Sequence, residues 1–96
     1  MISILWAAAE NPRTKKETLV LLANHKDQNI RMAVAKRVDA PAETLAILAQ
    51  DPVAEIRETV ASNVATSNHI LVKLLVDPCE WTRAAAKKTI RKKTRP

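Results

Sequence analysis

Three arginines recur at a constant interval in this 96-residue chain, and their side chains are well suited to binding anions. Arg31, Arg57 and Arg83 lie 26 residues apart, and the last two each follow an aspartate, Asp51 or Asp77, by six residues. A guanidinium can donate two parallel N–H groups to a carboxylate or a phosphate. Such a line could bind a phosphate chain or an acidic peptide, or each arginine could bridge an aspartate or backbone carbonyls of an adjoining repeat. The matching acids favour the structural interpretation.

The whole net charge of +6 lies at the C-terminal end of the sequence, because residues 1–86 contain as many acidic as basic side chains. Such a cluster can attract nucleic acid or another polyanion, or it can be a solvated end that aids solubility. We expect a helix to continue to about Ile90 and to fray beyond it. The polyanion interpretation assigns binding to Lys87, Lys88, Arg91, Lys92, Lys93 and Arg95.

Trp81 lies at a position where other repeats have polar residues, since Glu55 and Asn29 precede it by one and two intervals. These equivalents predict that the position faces water, where a tryptophan can anchor an interface. Alternatively, Trp81 covers the C-terminal end of the stack, as we expect Trp6 to cover the other end. The predicted protein-contact residues are Gln28, Asn29, Glu55, Glu80 and Trp81.

The sequence lacks the residue patterns of most catalytic and cofactor sites. It contains no glycine, which excludes the Gly-rich phosphate loops. Cys79 is the single cysteine, so an internal disulfide and an all-cysteine metal cage are excluded, although a thiol at a helix start can be reactive. His25 and His69 lie at different repeat positions and lack the clustered spacing of metal ligands. We predict no enzyme activity, no cofactor and no metal.

An internal repeat of 26 residues must position these side chains. Leucines recur at this interval and lie three apart within each repeat, which places them on one face of a helix. A second helical signal follows in each repeat. Two short helices cannot bury their own apolar faces, but stacked neighbours form one continuous core. The recurring leucines are Leu19, Leu45 and Leu71 together with Leu22, Leu48 and Leu74.

This pattern predicts an all-α solenoid of about three and a half two-helix repeats. We assign residues 1–12 to an N-terminal half-repeat cap, residues 13–38, 39–64 and 65–90 to repeats, and residues 91–96 to a basic C-terminal tail. No apolar run approaches the length of a membrane span, and the N-terminal segment lacks the basic start of a signal peptide. We therefore expect a cytoplasmic protein without a membrane partner.

Start and stop signals refine the expected helices. Thr14 and Glu17 have the spacing of a capping box, and Pro41 suits the first helical position. Since asparagine tolerates left-handed backbone, Asn11 and Asn63 are predicted helix stops. The other predicted caps are Asp27, Asp51, Thr66 and Asp77. The predicted core positions of the second helices are Ile30, Val34 and Val38, and likewise Ile56, Val60 and Val64.

The run Ala49-Gln50-Asp51-Pro52, followed by Ile56-Arg57 and Val60-Ala61, resembles the repeat of the leucine-rich repeat variant family, which belongs to the HEAT-like helical solenoids. The resemblance implies a right-handed stack of short helices. Some members of the family carry an iron–sulfur cluster in a cysteine-rich extension. Only Cys79 is present here, so the resemblance transfers no cofactor to this chain.

These observations predict a non-enzymatic protein-interaction scaffold that presents a helical-repeat surface. The alternative is nucleic-acid or polyanion binding through the basic C-terminal tail and exposed lysines and arginines. Self-association through the apolar ends of a short stack is a further interpretation.

Overall fold

The computed structural model describes residues 4–95, which contain seven α-helices and no strand. The predicted all-α class is therefore confirmed. Residues 1–3 of the predicted half-repeat cap and residue 96 of the predicted tail lie outside the described residues. None of the described helices is both long and apolar enough to cross a membrane. The helices are α1 (Ile4–Glu10), α2 (Lys16–Ala23), α3 (Gln28–Ala35), α4 (Ala42–Leu48), α5 (Ala54–Ser62), α6 (Asn68–Leu74) and α7 (Glu80–Thr94).

The odd-numbered helices pack side by side in one layer. Helix α3 contacts α1 and α5, and α7 packs most extensively against α5. On the other side α2 packs against α4, and the even-numbered helices also contact the odd helices that follow them in the chain. The arrangement agrees with stacked helix pairs. The right-handed direction, the number of repeats and the divisions after residues 12, 38, 64 and 90 stay predictions.

The buried apolar side chains follow the 26-residue interval. Ile30 and Ile56 are buried on α3 and α5, and so are Val34 and Val60 one turn later. Burial of a side chain of this size contributes about 2 kcal/mol. The interval recurs because each helix pair covers the apolar face of its neighbour. The predicted leucines are also buried: Leu19, Leu22, Leu45, Leu48, Leu71 and Leu74.

The prediction of burial is wrong for two residues of the second helices. Val38 is 69% exposed and Val64 is 50% exposed. Helix α3 ends at Ala35 and helix α5 ends at Ser62, so both valines lie beyond the helical face on which the i+8 spacing placed them. The helical pattern in the sequence is therefore longer than the helices.

The predicted left-handed stops at Asn11 and Asn63 are also wrong. No residue from 4 to 95 has a positive φ angle. Asn63 follows α5 with extended backbone, φ −83° and ψ 118°. Its buried side chain is fixed by hydrogen bonds to another repeat, and these hold the chain in this conformation without a left-handed residue.

The threonines predicted to begin helices instead bind the ends of preceding helices. The N-caps of α2 and α6 lie one residue beyond Thr14 and Thr66, so the capping box with Glu17 is not formed. The hydroxyl of Thr14 donates to the carbonyl oxygen of Ala8, and that of Thr66 donates to the carbonyl oxygen of Val60 at 2.7 Å. Carbonyls in the last turn of a helix need such partners.

The remaining caps agree only in part with prediction. Asp27 is the N-cap of α3, and its Oδ1 accepts the N–H of Asn29 at 2.8 Å, as predicted. Pro41 precedes the first residue of α4 and so lies one position before the predicted one. Asp51 and Asp77 lie two residues ahead of the N-caps of α5 and α7, so their prediction as N-caps is wrong.

Helix α7 continues to Thr94, so the predicted fraying beyond Ile90 is wrong. The ammonium of Lys93 donates to the carbonyl oxygen of Thr66 at 2.7 Å. This contact ties the last turn of α7 to the loop before α6. Most of the basic cluster is consequently presented on a helix.

Candidate functional site

Two arginines of the 26-residue series join neighbouring repeats. Arg57 Nε donates to Asp77 Oδ2 at 2.9 Å and its Nη2 donates to Asp77 Oδ1 at 3.3 Å. Arg31 binds Asp51 in the same way at 2.7 and 3.3 Å. In both residues Nη1 donates to the backbone carbonyl six residues upstream. The structural interpretation of these two arginines is therefore confirmed.

Arg83 makes the same backbone contact without a carboxylate. Its Nη1 donates to the carbonyl oxygen of Asp77 at 2.6 Å, as Nη1 of Arg57 donates to that of Asp51 at 2.7 Å. Over residues 4–95, no acidic side chain forms an ion pair with Arg83. The Nε and Nη2 groups of Arg83 are therefore available to an oxyanion.

His25 occupies the aspartate position of this series in the first repeat. Asp51 Oδ1 accepts the N–H of Val53 two residues on, at 2.9 Å. His25 Nδ1 accepts the N–H of Asp27 in the same way, also at 2.9 Å. The preceding repeat has Leu5 at the arginine position. An imidazole nitrogen thus replaces the carboxylate oxygen where the series provides no guanidinium.

A second series of side chains binds backbone carbonyls across repeats. Asn63 Nδ2 donates to the carbonyl oxygens of Ala35 at 3.0 Å and Arg37 at 2.8 Å. One interval earlier, Arg37 Nη1 donates to those of Ala9 at 2.8 Å and Asn11 at 2.7 Å. An amide and a guanidinium therefore perform the same task at matched positions. Sequence reasoning identified the matched positions but assigned them to helix termination.

The predicted protein-contact residues form one row at the starts of α3, α5 and α7. Because these three helices pack side by side, the row crosses the layer of odd-numbered helices. Trp81 is 66% exposed, so most of its ring faces water and covers little of the core. We call this set the exposed row; its members are all exposed and are Gln28, Asn29, Glu55, Glu80 and Trp81.

The predicted polyanion-binding residues lie on α7 and at its end, and all are exposed. Lys93 is engaged by the carbonyl of Thr66. Arg83 was considered only with the other repeated arginines and not with these residues. The available signal was its spacing, because Arg83, Lys87 and Arg91 occupy every fourth position of α7. The other exposed cations of the group are Lys88, Lys92 and Arg95.

Residues 29–53 include nearly all of α3, the whole of α4 and both members of the Arg31–Asp51 ion pair. Residues 29–53 match the family model of the leucine rich repeat variant. The resemblance found in the sequence is confirmed over this segment, and beyond it the assignment stays a prediction. Comparisons with curated proteins and with solved structures found no match.

A groove of about 570 Å³ lies between α1 and α3 and is lined in part by the segment that matches the leucine rich repeat variant. Trp6 and Met32 form apolar walls, and Asn29 and Lys36 add polar groups. Trp6 also packs against the core, in agreement with its predicted role as an end cap. Asn29 belongs to the exposed row as well, so the groove lies at the α3 end of that row.

Cys79 is the N-cap of α7 and is partly exposed. Hydrogen bonding by the backbone N–H of Thr82 lowers the pKa of the Cys79 thiol below its ordinary value. In the described part of the chain, no three histidine, cysteine or acidic side chains are grouped as metal ligands. The reactive-thiol interpretation of Cys79 stays a prediction.

The stability of the fold should depend on pH through Asp77. Burial alone would raise the pKa of this carboxyl, but hydrogen bonds from Arg57 and from the N–H of Cys79 outweigh burial and hold the pKa below its ordinary value. The ionised carboxylate therefore contributes its full stability above about pH 4, and that contribution is lost as the pH falls through the folded-state pKa.

We expect the difference in unfolding free energy between the natural chain and Asp77→Asn to be largest near neutral pH and to narrow below about pH 4. Denaturant unfolding over a pH series measures this difference. Asp39→Asn is the control. Asp39 pairs with Arg37 at an exposed position, where solvent weakens the interaction, so this replacement should change the unfolding free energy less than Asp77→Asn does. A difference for Asp77→Asn that stays constant with pH would contradict the prediction.

Proposed function

We propose that this chain is a non-enzymatic scaffold that binds a protein partner through the exposed row. The leucine rich repeat variant match at residues 29–53 supports a helical-repeat role of this kind. Extended surfaces across stacked repeats are a common means of protein recognition. Trp81 is the proposed anchor, with polar members of the row at its side.

The exposure of Trp81 carries the proposal. A large aromatic side chain at a water-facing position contributes little to its own fold, but it can bury much apolar area against a partner. The matched positions in α3 and α5 are occupied by Asn29 and Glu55, which are also exposed. One aromatic anchor beside polar positions resembles the apolar centre and polar rim of protein interfaces.

The connections between repeats support a rigid scaffold. Arg57 joins α5 to the loop before α7, and Asn63 joins the end of α5 to the end of α3. Because these bonds fix one repeat against the next, the exposed row is held in register before any partner binds. Preorganisation lowers the entropy lost on binding. The charged groups that the fold brings together here bind one another across repeats, and we propose no catalytic step for them.

We expect Trp81→Ala to abolish or strongly weaken capture of the partner while leaving the fold unchanged. The measurement is quantitative affinity capture with the tagged chain, followed by binding titration of each protein recovered. Loss of a central aromatic anchor typically costs about 2 kcal/mol or more, equivalent to about 30-fold in affinity.

Val76→Ala is the matched control, because Val76 is another highly exposed apolar side chain but lies outside the exposed row. The proposal requires a partner that binds this control normally and loses affinity for Trp81→Ala. If every protein recovered binds both variants equally well, the exposed row is not the binding surface.

A further inference from the structure

Helix α7 presents a continuous set of cations on the side turned away from the core. Arg83, Lys87 and Arg91 recur every fourth residue, and Lys88 and Lys92 form a parallel line beside them. Successive members of each line are about 6 Å apart along the helix axis. We call these five residues the basic ridge. Its lysines and Arg91 are exposed, and Arg83 is partly exposed.

Position 87 differs from its equivalents in the interior of the stack. Ala9, Ala35 and Ala61 precede Lys87 by whole intervals, and each alanine is completely buried. Lys87 is exposed instead. A lysine at this position places an ammonium where the earlier repeats have a close helix contact. This end of the described stack is consequently a charged surface.

Arg83 is already oriented for an oxyanion. Its Nη1 is held by the carbonyl of Asp77, the same contact that orients Arg57 from the carbonyl of Asp51. In Arg57 the remaining Nε and Nη2 groups bind both oxygens of a carboxylate. In Arg83 the same two groups have no partner among residues 4–95. A phosphate offers the same pair of oxygens to this fork.

The surroundings of Arg83 favour phosphates in series over other anions. Like charges four residues apart on a helix oppose one another, so the ridge gains from anions that lie along it. Ala84, on the line of Lys88 and Lys92, is exposed but too small for the apolar centre of a protein interface or for insertion into a lipid surface. The large exposed apolar side chain of α7, Trp81, precedes the ridge and belongs to the exposed row. Glu80, the first residue of α7, is its one acidic residue, so no carboxylate of this helix lies among the cations of the ridge.

We propose that the basic ridge binds the phosphate backbone of double-stranded nucleic acid, with Arg83 gripping one phosphate through Nε and Nη2. This inference goes beyond the scaffold role and uses a different part of α7. Phosphate contacts carry no sequence information, and helix α7 contains no asparagine or glutamine to read adenine edges, so binding through the ridge to phosphates is independent of base sequence. With Trp81 the sole aromatic residue of α7, the helix lacks the stacking platform that favours single strands.

The test is fluorescence anisotropy of a short labelled DNA duplex titrated with the full chain over a salt series. Affinity falls as salt rises, and each phosphate contact contributes about 0.9 to the steepness of log affinity against log salt. The triple variant Arg83→Gln, Lys87→Gln and Arg91→Gln should therefore reduce the magnitude of this slope by about 2.7. The double variant Lys87→Gln with Arg91→Gln, which keeps the partly buried contact of Arg83 with the carbonyl of Asp77, should reduce the magnitude of this slope by about 1.8.

The matched control removes three exposed cations elsewhere, Arg13→Gln, Lys15→Gln and Lys16→Gln, and should leave the slope unchanged. Arg83→Lys keeps the charge without the fork, so it should weaken binding several-fold. Trp81→Ala should bind the duplex normally, which separates this result from the scaffold proposal. Any of three outcomes would overturn the inference: no duplex binding at the lowest salt, equal slopes for triple variant and control, or equal competition by polyglutamate or anionic vesicles.

Discussion

Replacement of Arg57 by leucine is expected to lower the free energy of unfolding by about 3 kcal/mol. The Asp77 side chain is only 6% exposed and the Arg57 side chain 15% exposed. Removal of the guanidinium leaves a buried carboxylate without its cation and leaves the carbonyl of Asp51 without its donor. The cost of the unpaired charge exceeds the value of the hydrogen bonds themselves. Denaturant unfolding followed by circular dichroism measures the effect.

Arg83→Leu is the matched control within the same series. Arg83 makes the backbone hydrogen bond but binds no described carboxylate, so we expect a loss of about 1 kcal/mol. Equal losses for Arg57→Leu and Arg83→Leu would mean that the ion pair contributes nothing beyond the backbone contact. In the double variant Arg57→Leu with Asp77→Asn the buried charge is gone, and the loss should be smaller than the sum of the two single losses.

The repeat interval, the helical class and most of the core could be predicted from sequence. Leucine at 19, 45 and 71 is required by burial, and burial depends on side-chain type and helical spacing alone. The Arg57–Asp77 pair could be anticipated for the same reason, because opposite charges recur at a fixed offset. The exposed row followed from the polar types at the starts of α3 and α5.

The errors concern side chains whose partners lie outside the helix to which the local pattern assigned them. Thr66 has the local spacing of a cap, but its hydroxyl binds Val60 at the end of α5. Asn63 has the composition of a left-handed stop, but its amide binds a helix 28 residues upstream. In both cases the side chain binds a carbonyl of another helix, which the local spacing does not reveal. Val38 and Val64 were misplaced for the related reason that these turns end the helices early.

The first repeat shows what comparison of positions within one chain can add. Aspartate is present at 51 and 77, where the preceding repeat provides an arginine, and histidine is present at 25, where the preceding repeat has Leu5. The partner residues therefore change together. This correlation is visible in the sequence and assigns Arg31 to Asp51 and Arg57 to Asp77.

Replacement of Asn63 by alanine is expected to lower the free energy of unfolding by about 3 kcal/mol. The Asn63 amide donates to the carbonyls of Ala35 and Arg37, and its Oδ1 accepts the N–H of Ala65 at 2.8 Å. Asn63 is buried, so water cannot readily replace these partners. Alanine removes all three bonds, leaving the carbonyl of Ala35 and the N–H of Ala65 without these partners. The carbonyl of Arg37 is left with only the N–H of Ala40 at 3.4 Å. Denaturant unfolding gives the loss, and amide hydrogen exchange at Ala65 reports the local bond.

Asn11→Ala is the matched control, since Asn11 occupies the same repeat position. Its exposed side chain makes a local bond to the N–H of Arg13 at 2.8 Å, and we expect a loss of about 0.5 kcal/mol. If the two asparagines cost the same, the carbonyls of α3 are satisfied without Asn63, and its contacts across repeats do not hold the stack together. A large loss for Asn63→Ala alone would show that alanine disrupts a connection between repeats. The exposed row depends on such connections, because its members are divided among three helices, α3, α5 and α7.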